Sequence, residues 1–286
     1  MKMVPYRTSA QPRRNMFATS RLAALLVSTS GLELPVLPFP SASMLLPGES
    51  RRVLLKEPAV KVLDASPCVG QLLTMPSGDG FIAAVPIVKA THLEVSGDAT
   101  WFTLTCIGRG LLQLPLLEGA TGDSSSAHLA PFVDMNRPSE SDSATACAAI
   151  RSRYASCRAL SARVLLGGGR VSPSGGAVAR LFNNSLGDVL AQKRDTLRMA
   201  RKGASVSELQ LHTASLEAEL PLLTNCVAGI LDPEERLHAL ACRDGSKRLP
   251  YSERNLRGFE QRLAAEVALQ EWDLGCTGVY GDDGFF

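Results

Sequence analysis

Short apolar runs separated by turn residues fill most of residues 32–117 and restrict what this chain can form. The first run, residues 34–39, contains Pro35 and Pro38, and proline has no N–H to donate to a neighbouring strand. It therefore predicts an edge or first strand rather than a central one. A Leu46-Pro47-Gly48 turn follows, and then come three strand candidates at residues 81–90, 101–107 and 111–116. Strands this short and this closely spaced predict a small β-barrel or sandwich.

From Ala144 onwards the apolar residues recur with a helical period instead. Residues 177–202 are predicted to be one of these helices, and residues 251–272 the last. Ser205 with Glu208 has the spacing of a capping box. Asp232 followed by Pro233 is typical of an N-cap and the first helical position. The sequence therefore predicts an α+β protein, a β-barrel or sandwich followed by a C-terminal helical bundle of about four helices.

The composition divides the chain into five predicted parts. Residues 119–147 are polar, acidic and rich in Gly, Ser and Pro, which indicates a flexible linker. The complete division is a targeting peptide at 1–31, a β domain at 32–118, the linker at 119–147, the helical bundle at 148–274 and a tail at 275–286.

Charge is distributed unevenly between the N-terminus and the rest of the chain. Residues 1–30 contain five Lys and Arg residues and no acid, and they are rich in Ser and Thr. This pattern is typical of an organellar targeting peptide and favours a plastid over a mitochondrion, with a merely disordered N-terminus as the alternative. The remaining residues carry 25 basic and 28 acidic side chains. Such a balance gives no electrostatic footprint for nucleic acid, so nucleic-acid binding is not expected.

The potential metal and disulfide ligands are scattered along the sequence. The seven cysteines include no Cys-x-x-Cys pair, and the four histidines lie far apart. We therefore expect no cofactor, metal site or disulfide framework, and a reducing compartment. No apolar run approaches the ~18–20 residues of a membrane span, which predicts a soluble protein.

Several short motifs, taken in order, resemble the N-terminal domain of the Lon protease family. They are the run at residues 34–39, the Leu46-Pro47-Gly48 turn, residues 83–88, residues 107–110 and the later helix start at residues 231–237. The resemblance implies a PUA-like β domain, a role in substrate recognition, and protein or unfolded peptide segments as partners. Because no Walker A phrase occurs and few residues follow the β-rich part, a standalone member without ATPase or protease modules is expected.

No catalytic motif accompanies this resemblance. The Gly-x-Ser-x-Gly and His-Glu-x-x-His patterns are absent, and the glycine-rich residues 167–176 lack the ending of a P-loop. Ser174 could act as a nucleophile only if Lys202 or Lys247 came within hydrogen-bond reach. The sequence therefore favours a non-catalytic protein-binding module, with an adaptor role in organellar protein quality control. The alternatives are an RNA-binding PUA-like protein and an unrecognised enzyme at residues 167–176.

The resemblance and the predicted strands together suggest a binding surface on the β domain where it faces the helices. Arg109, between two glycines, could present its guanidinium to a partner, with an internal salt bridge as its alternative role. Alternating apolar strand positions are usually core, and that interpretation competes for Phe39, Val85 and Ile87. The candidate residues are Phe39, Leu46, Leu55, Val85, Ile87 and Arg109.

Overall fold

The computed structural model describes residues 32–75, 80–96, 99–118, 125–132, 135–136, 138–167, 170–202 and 219–277. The described residues belong to one compact unit. The predicted targeting peptide, the Ser205 capping box and most of the predicted tail lie outside the described residues.

Six strands form one sheet that closes on itself. Its order is β2-β5-β4-β3-β1-β6, and β6 pairs again with β5. Five strands therefore make a barrel, and β2 extends the sheet beyond β5. The strands are β1 Leu32–Phe39, β2 Ser50–Lys56, β3 Cys68–Leu73, β4 Ala84–Ser96, β5 Ala99–Glu118 and β6 Ser125–Pro131.

β5 is long enough to pair with both β2 and β6 along the same edge. Its first part, from Ala99 to Thr105, pairs with β2, whereas Gly110 to Glu118 pairs with β6. The β4–β5 ladder shifts register between Ile87 and Val88, and such irregularities bend strands. One long bent strand thus contributes both to the barrel and to the β2 extension.

Two predictions for the strands are wrong. β1 is not an edge strand, because Leu32 to Val36 pair with β6 and Val36 to Phe39 pair with β3. Each half of β1 therefore pairs with a neighbouring strand mainly on one side. A proline, which has no N–H to donate, can be accommodated in each half for this reason. Residues 119–147 are not simply a linker, since they contain β6 and the start of a helix. Within β6, Ala127 and Leu129 are fully buried, an alternation that the polar composition around them hides.

Seven helices and one 3₁₀ turn are present in the described part of the chain. The longest two, α2 and α7, pack side by side, and Arg153 of α2 joins Glu253 and Glu260 of α7 with N–O distances of 3.2 and 3.0 Å. The α+β class with a C-terminal helical bundle is confirmed. The helices are α1 Ala59–Ala65, α2 Glu140–Leu166, α3 Pro173–Arg180, α4 Leu186–Arg201, α5 Glu219–Gly229, α6 Pro233–Ala241 and α7 Gly245–Thr277, and the 3₁₀ turn is Ser41–Ser43.

Local capping signals explain where several helices begin. Asp232 accepts a hydrogen bond from the N–H of Glu235, with Pro233 in the first turn, so the predicted start of α6 is confirmed. The single helix predicted at residues 177–202 is instead two helices. Ser185 caps α4, and the connection turns inward so that Phe182 is fully buried. Burial of an aromatic side chain outweighs continuation of the helix there.

The glycine-rich stretch at residues 167–176 is shaped by a buried carboxylate from α7. Glu266 accepts hydrogen bonds from the N–H and the hydroxyl of Ser172, at 2.5 and 2.8 Å. The Ser172 hydroxyl also accepts from the N–H of Gly175, so it caps α3. A Cβ at Gly175 would overlap the Glu266 carboxylate, which explains why glycine occupies this position. The described part of the stretch therefore fixes α3 against α7.

We predict that Gly175→Ala destabilises the protein by about 1–3 kcal/mol, because the added methyl group displaces Glu266 from the Ser172 hydrogen bonds. Replacing glycine with alanine at an uncrowded helix position stabilises a protein instead. Gly258 in α7 provides that control, since a Cβ there meets nothing nearer than Arg262 Nη2 at 4.0 Å. Gly258→Ala should stabilise by up to about 1 kcal/mol. Urea unfolding of both variants measures the difference; equal stabilisation by both would contradict the role of Glu266.

Candidate functional site

One carboxylate, that of Glu49, joins the barrel to two helices. Its Oε1 lies 3.2 Å from Lys193 Nζ of α4, and its Oε2 lies 2.6 Å from Arg236 Nη2 of α6. The N–H of Leu46 also donates to Oε2, at 2.9 Å. All three charged side chains are mostly buried, with between 11% and 17% of their surface exposed. A buried ion pair with further hydrogen bonds fixes geometry more strictly than an exposed one.

The pKa of Glu49 reflects this environment. Burial alone would raise the pKa of the carboxyl, but Lys193, Arg236 and the Leu46 N–H together lower the pKa by more than burial raises it. The net result is a pKa below the ordinary value of 4.5. Glu49 is therefore charged in the folded protein at neutral pH, as its two cationic partners require.

The turn before Glu49 allows α4 to approach closely. Gly48 has a φ of 84°, a conformation that favours glycine, and a Cβ there would lie 3.1 Å from the Cβ of Lys193. At its other end α4 is held by Lys89 of β4, whose Nζ donates to the carbonyl of Lys202 at 3.0 Å. α4 is thus fixed at two points along the outer surface of the sheet.

A groove of about 300 Å³ lies between α4 and this surface. Hydroxyl groups dominate its polar lining. Ser50 Oγ and Thr105 Oγ1 share a hydrogen bond of 2.8 Å, whereas no hydrogen bond to another described residue engages the hydroxyls of Thr91 and Thr196. The lining residues are Ser50, Lys89, Thr91, Thr105, Thr196, Met199 and Ala200.

The sheet surface continues beyond the groove along β2. In the register, Ser50, Arg52 and Leu54 lie opposite Thr105, Thr103 and Trp101 of β5. Arg52 lies over the Trp101 ring, 4.6 Å from its centroid, and pairs with Glu94 at 2.5 Å. β2 forms the end of the described sheet, because β5 is its only partner among the described strands.

Two other cavities lie among the helices. The larger, about 510 Å³, is lined by α2 and the α3–α4 connection, and several of its polar side chains already have partners. For example, Ser161 donates to the carbonyl of Ala179, and Arg151 pairs with Glu219. The third, about 420 Å³, has a mostly apolar lining between the ends of α2 and α7. The groove beside α4 is the cavity where hydroxyls, an ammonium group and a sheet end meet.

The structure places the residues predicted for the site in the core rather than in this groove. Phe39, Leu46, Val85 and Ile87 expose 8% of their surface or less. Leu55 is half-buried against the same apolar cluster as Phe39 and Leu46. These side chains could contact a partner only if the core opened. The prediction of an apolar binding surface made from them is therefore corrected, and the core interpretation holds for Phe39, Val85 and Ile87.

Arg109 is also buried. Its Nη1 donates to the carbonyl of Leu240 in α6 at 3.2 Å, and its guanidinium lies 3.9 Å from the Phe132 ring centroid. The side chain therefore connects the barrel to α6 from inside. This placement supports an internal role for Arg109 rather than contact with a partner, with a backbone carbonyl and an aromatic ring among the groups that it contacts.

Sequence reasoning missed the groove residues. On β4, the alternation of Lys89 and Thr91 with buried Val88 and Ala90 was a signal that one face is polar. The contribution of α4 had no comparable local signal, since the orientation of Thr196, Met199 and Ala200 towards the sheet depends on contacts with residues distant in the sequence, including those of Lys193 and Lys202.

The thiols of three buried cysteines are poorly suited to a reactive site. The six described cysteines are free, and burial raises the pKa of Cys106 and Cys157 to about 12 and that of Cys226 to about 11. Thiols with such pKa values are protonated and poorly nucleophilic at neutral pH. Within the described residues, no group of three His, Cys, Asp or Glu side chains is suitably arranged for a metal ion.

The serines of the glycine-rich stretch have structural partners. Ser172 caps α3, and the Ser172 and Ser174 hydroxyls lie 3.2 Å apart. Lys247, one of the two lysines that the sequence left open as a partner for Ser174, lies 3.8 Å from Asp244. Among the described helices, none has both the length and the apolar character needed to span a membrane.

Comparison with known proteins gives similarity at the level of structure. No family model matches the sequence, and no curated protein matches it. The N-terminal domain of the Mycobacterium avium complex Lon protease is similar at 15% identity and a TM-score of 0.44, covering 80% of this chain and 98% of that one. A Lon N-terminal domain protein from Xanthomonas campestris is similar at 16% identity and a TM-score of 0.38, covering 77% and 95%. Both are Lon N-terminal domains, the family that the sequence motifs resemble.

We predict that Glu49→Gln lowers the free energy of unfolding by about 3 kcal/mol, because it leaves Lys193 and Arg236 as buried, uncompensated charges. Glu94→Gln is the matched control, since the exposed Arg52–Glu94 pair should contribute less than about 1 kcal/mol. Urea unfolding at pH 7 compares the two variants. Similar losses in both would contradict the assigned role of Glu49.

The same carboxylate predicts a pH dependence. Because the pKa of Glu49 is lower in the folded than in the unfolded protein, its contribution is complete above about pH 4.5 and is lost as the pH falls through the folded-state pKa. The unfolding free energy of Glu49→Gln should therefore fall less steeply below pH 4.5 than that of the unsubstituted protein.

Proposed function

We propose that this protein is a non-catalytic module that binds protein or unfolded peptide segments, and that the groove between the sheet and α4 holds them. The observation that carries the proposal is the groove lining, where hydroxyls of three strands and a helix converge with the Lys89 ammonium group. An extended peptide presents N–H and C=O groups at regular intervals, and hydroxyls can both donate to and accept from them. The motif series of residues 34–110 supports the same function by its resemblance to a substrate-recognition domain.

The neighbouring sheet surface supports an extended rather than a helical ligand. β2 ends the described sheet beside the groove, and an added strand can hydrogen-bond to such an edge. Leu54, with 46% of its surface exposed, offers apolar contact further along the same face. A peptide could therefore run from the groove along β2 with both polar and apolar contacts.

The alternatives draw less support from the molecule. Single-stranded RNA binds through aromatic side chains on which bases stack, but Trp101 is covered by Arg52 and the groove lining contains no aromatic residue. An enzyme at residues 167–176 would need an activated serine, whereas Ser172 is engaged by Glu266 and by the α3 cap.

Thr91→Trp tests the proposed site. Thr91 is exposed on a strand, so tryptophan should be tolerated while its ring fills the groove. We expect peptide affinity to fall at least about tenfold, or about 1.4 kcal/mol, with little change in melting temperature. The measurement is fluorescence anisotropy of labelled 12-residue peptides that tile one unfolded protein.

The control for this variant is Thr145→Trp, which makes the same change at an exposed position of α2 outside the groove. It should leave peptide affinity unchanged. Unaltered binding by Thr91→Trp, or equal losses in both variants, would place the binding site elsewhere.

The cellular setting that we propose is an organelle, a plastid rather than a mitochondrion, where the module acts as an adaptor in protein quality control. The support is the acid-free, Arg-bearing composition of residues 1–30. Sequencing the N-terminus of the mature protein from isolated plastids should give a start near residue 31. A mature protein that retains Met1 would contradict import with cleavage.

A further inference from the structure

We infer that the groove selects acidic segments, that is, extended peptides whose side chains include closely spaced carboxylates. This inference rests on the proposed function, since it names the class of peptide that the same groove takes. Charge complementarity between the groove surroundings and such a peptide carries it.

Several basic side chains lie on the elements that border the groove. Outside residues 1–30 the chain has more acidic than basic residues. β2 nevertheless carries Arg51, Arg52 and Lys56 and no acid, with Arg52 paired to Glu94 of β4. The segment at residues 193–202, which ends α4, carries five basic residues and one acid, and one of the five, Lys193, pairs with Glu49. Basic side chains on a net acidic protein attract an anionic ligand locally, whereas the rest of the surface repels it.

The side chains lining the groove are suited to carboxylates. Lys89 uses one of its three ammonium N–H groups on the carbonyl of Lys202, so two remain for a ligand. The hydroxyls of Thr91 and Thr196 can donate beside it. A carboxylate accepts several such hydrogen bonds at once, whereas the amide of Asn or Gln offers one acceptor oxygen and gains no charge assistance.

The position of β2 extends this recognition along the ligand. Lys56 is exposed and lies six residues from Ser50 on the same face of β2, whereas Arg51 lies on the opposite face and donates to the carbonyl of Ala42 at 3.3 Å. At about 3.3 Å per residue, a peptide strand alongside β2 would bring acidic side chains on the groove face within reach of both Lys56 and Lys89. Acidic residues spaced along one strand would therefore contact the groove and the edge together.

The chemistry favours an acidic peptide over a nucleic acid. A polyphosphate strand extends well past the groove, and the net acidic body would oppose it beyond the basic region. The hydroxyl lining also suits planar carboxylates on an extended backbone without any stacked base. A short acidic segment gains the local attraction and avoids the remaining surface.

Binding of three labelled probes to the full chain tests the inference. The first is a 12-residue Val, Thr and Glu peptide, the second replaces every Glu with Gln, and the third is a 12-residue oligouridylate. We expect the Glu peptide to bind about tenfold more tightly than the Gln peptide in 50 mM salt, and the advantage to shrink in 500 mM salt because charges become screened. Fluorescence anisotropy gives all three affinities.

A matched pair of variants identifies the groove as the source of selectivity. Lys89→Gln should reduce the preference for the Glu peptide severalfold and leave the Gln peptide nearly unaffected. Lys61→Gln removes an exposed charge of α1, outside the groove, and should change neither. Loss of the preference in Lys61→Gln as well would overturn the assignment to the groove.

The outcomes separate this inference from the proposed function. Equal affinity for the Glu and Gln peptides overturns the charge selectivity while peptide binding stands. Binding of neither peptide overturns the proposed function together with the inference. Tighter binding of the oligouridylate than of the Glu peptide overturns the inference in favour of a nucleic-acid ligand.

Discussion

The position of α4 on the sheet depends on one buried carboxylate. Glu49 bonds Lys193 of α4 and Arg236 of α6 from the turn that follows Gly48, so a single residue aligns two helices with the barrel. Arg236 also donates to the carbonyls of Met44 and Gly229, which joins the same turn to the end of α5. Because desolvated charges tolerate little displacement, this cluster restricts the helices more tightly than apolar packing alone would. Because the cluster holds α4 beside the strands without covering them, a groove remains between the helix and the sheet.

Local signals in the sequence predicted those parts of the fold that are determined locally. Asp232 and Pro233 could be read as a helix start because a cap and a fixed φ act within one turn. β6 was missed because its two buried residues, Ala127 and Leu129, lie in a polar, breaker-rich context, and only closure of the barrel makes them core. The break at Phe182 was missed for a similar reason, since its aromatic neighbours Tyr154 and Phe259 come from distant helices.

The candidate site was less predictable than the fold, and the residues involved show why. The predicted residues Val85 and Ile87 are apolar and alternate along a strand, which marks core as readily as it marks a binding surface. The groove residues are mostly Ser and Thr, which occur on any solvated strand. They acquire meaning only when α4 faces them, and the contact that places α4 joins Glu49 to Lys193 across 144 residues of sequence. No pattern within a short window encodes a contact of that range.

The basic side chains of β2 serve two physical purposes that agree with each other. An exposed sheet edge invites pairing with the same edge of another copy, and like charges on both edges oppose this. Such a pairing would bring the basic side chains of β2 in one copy near those of the other, at a cost for like charges that lie opposite each other. The same charges favour a strand that carries acids. The same arrangement therefore opposes self-association and favours an acidic ligand. It gives the sheet edge a specificity that the hydroxyl-lined groove could not provide alone.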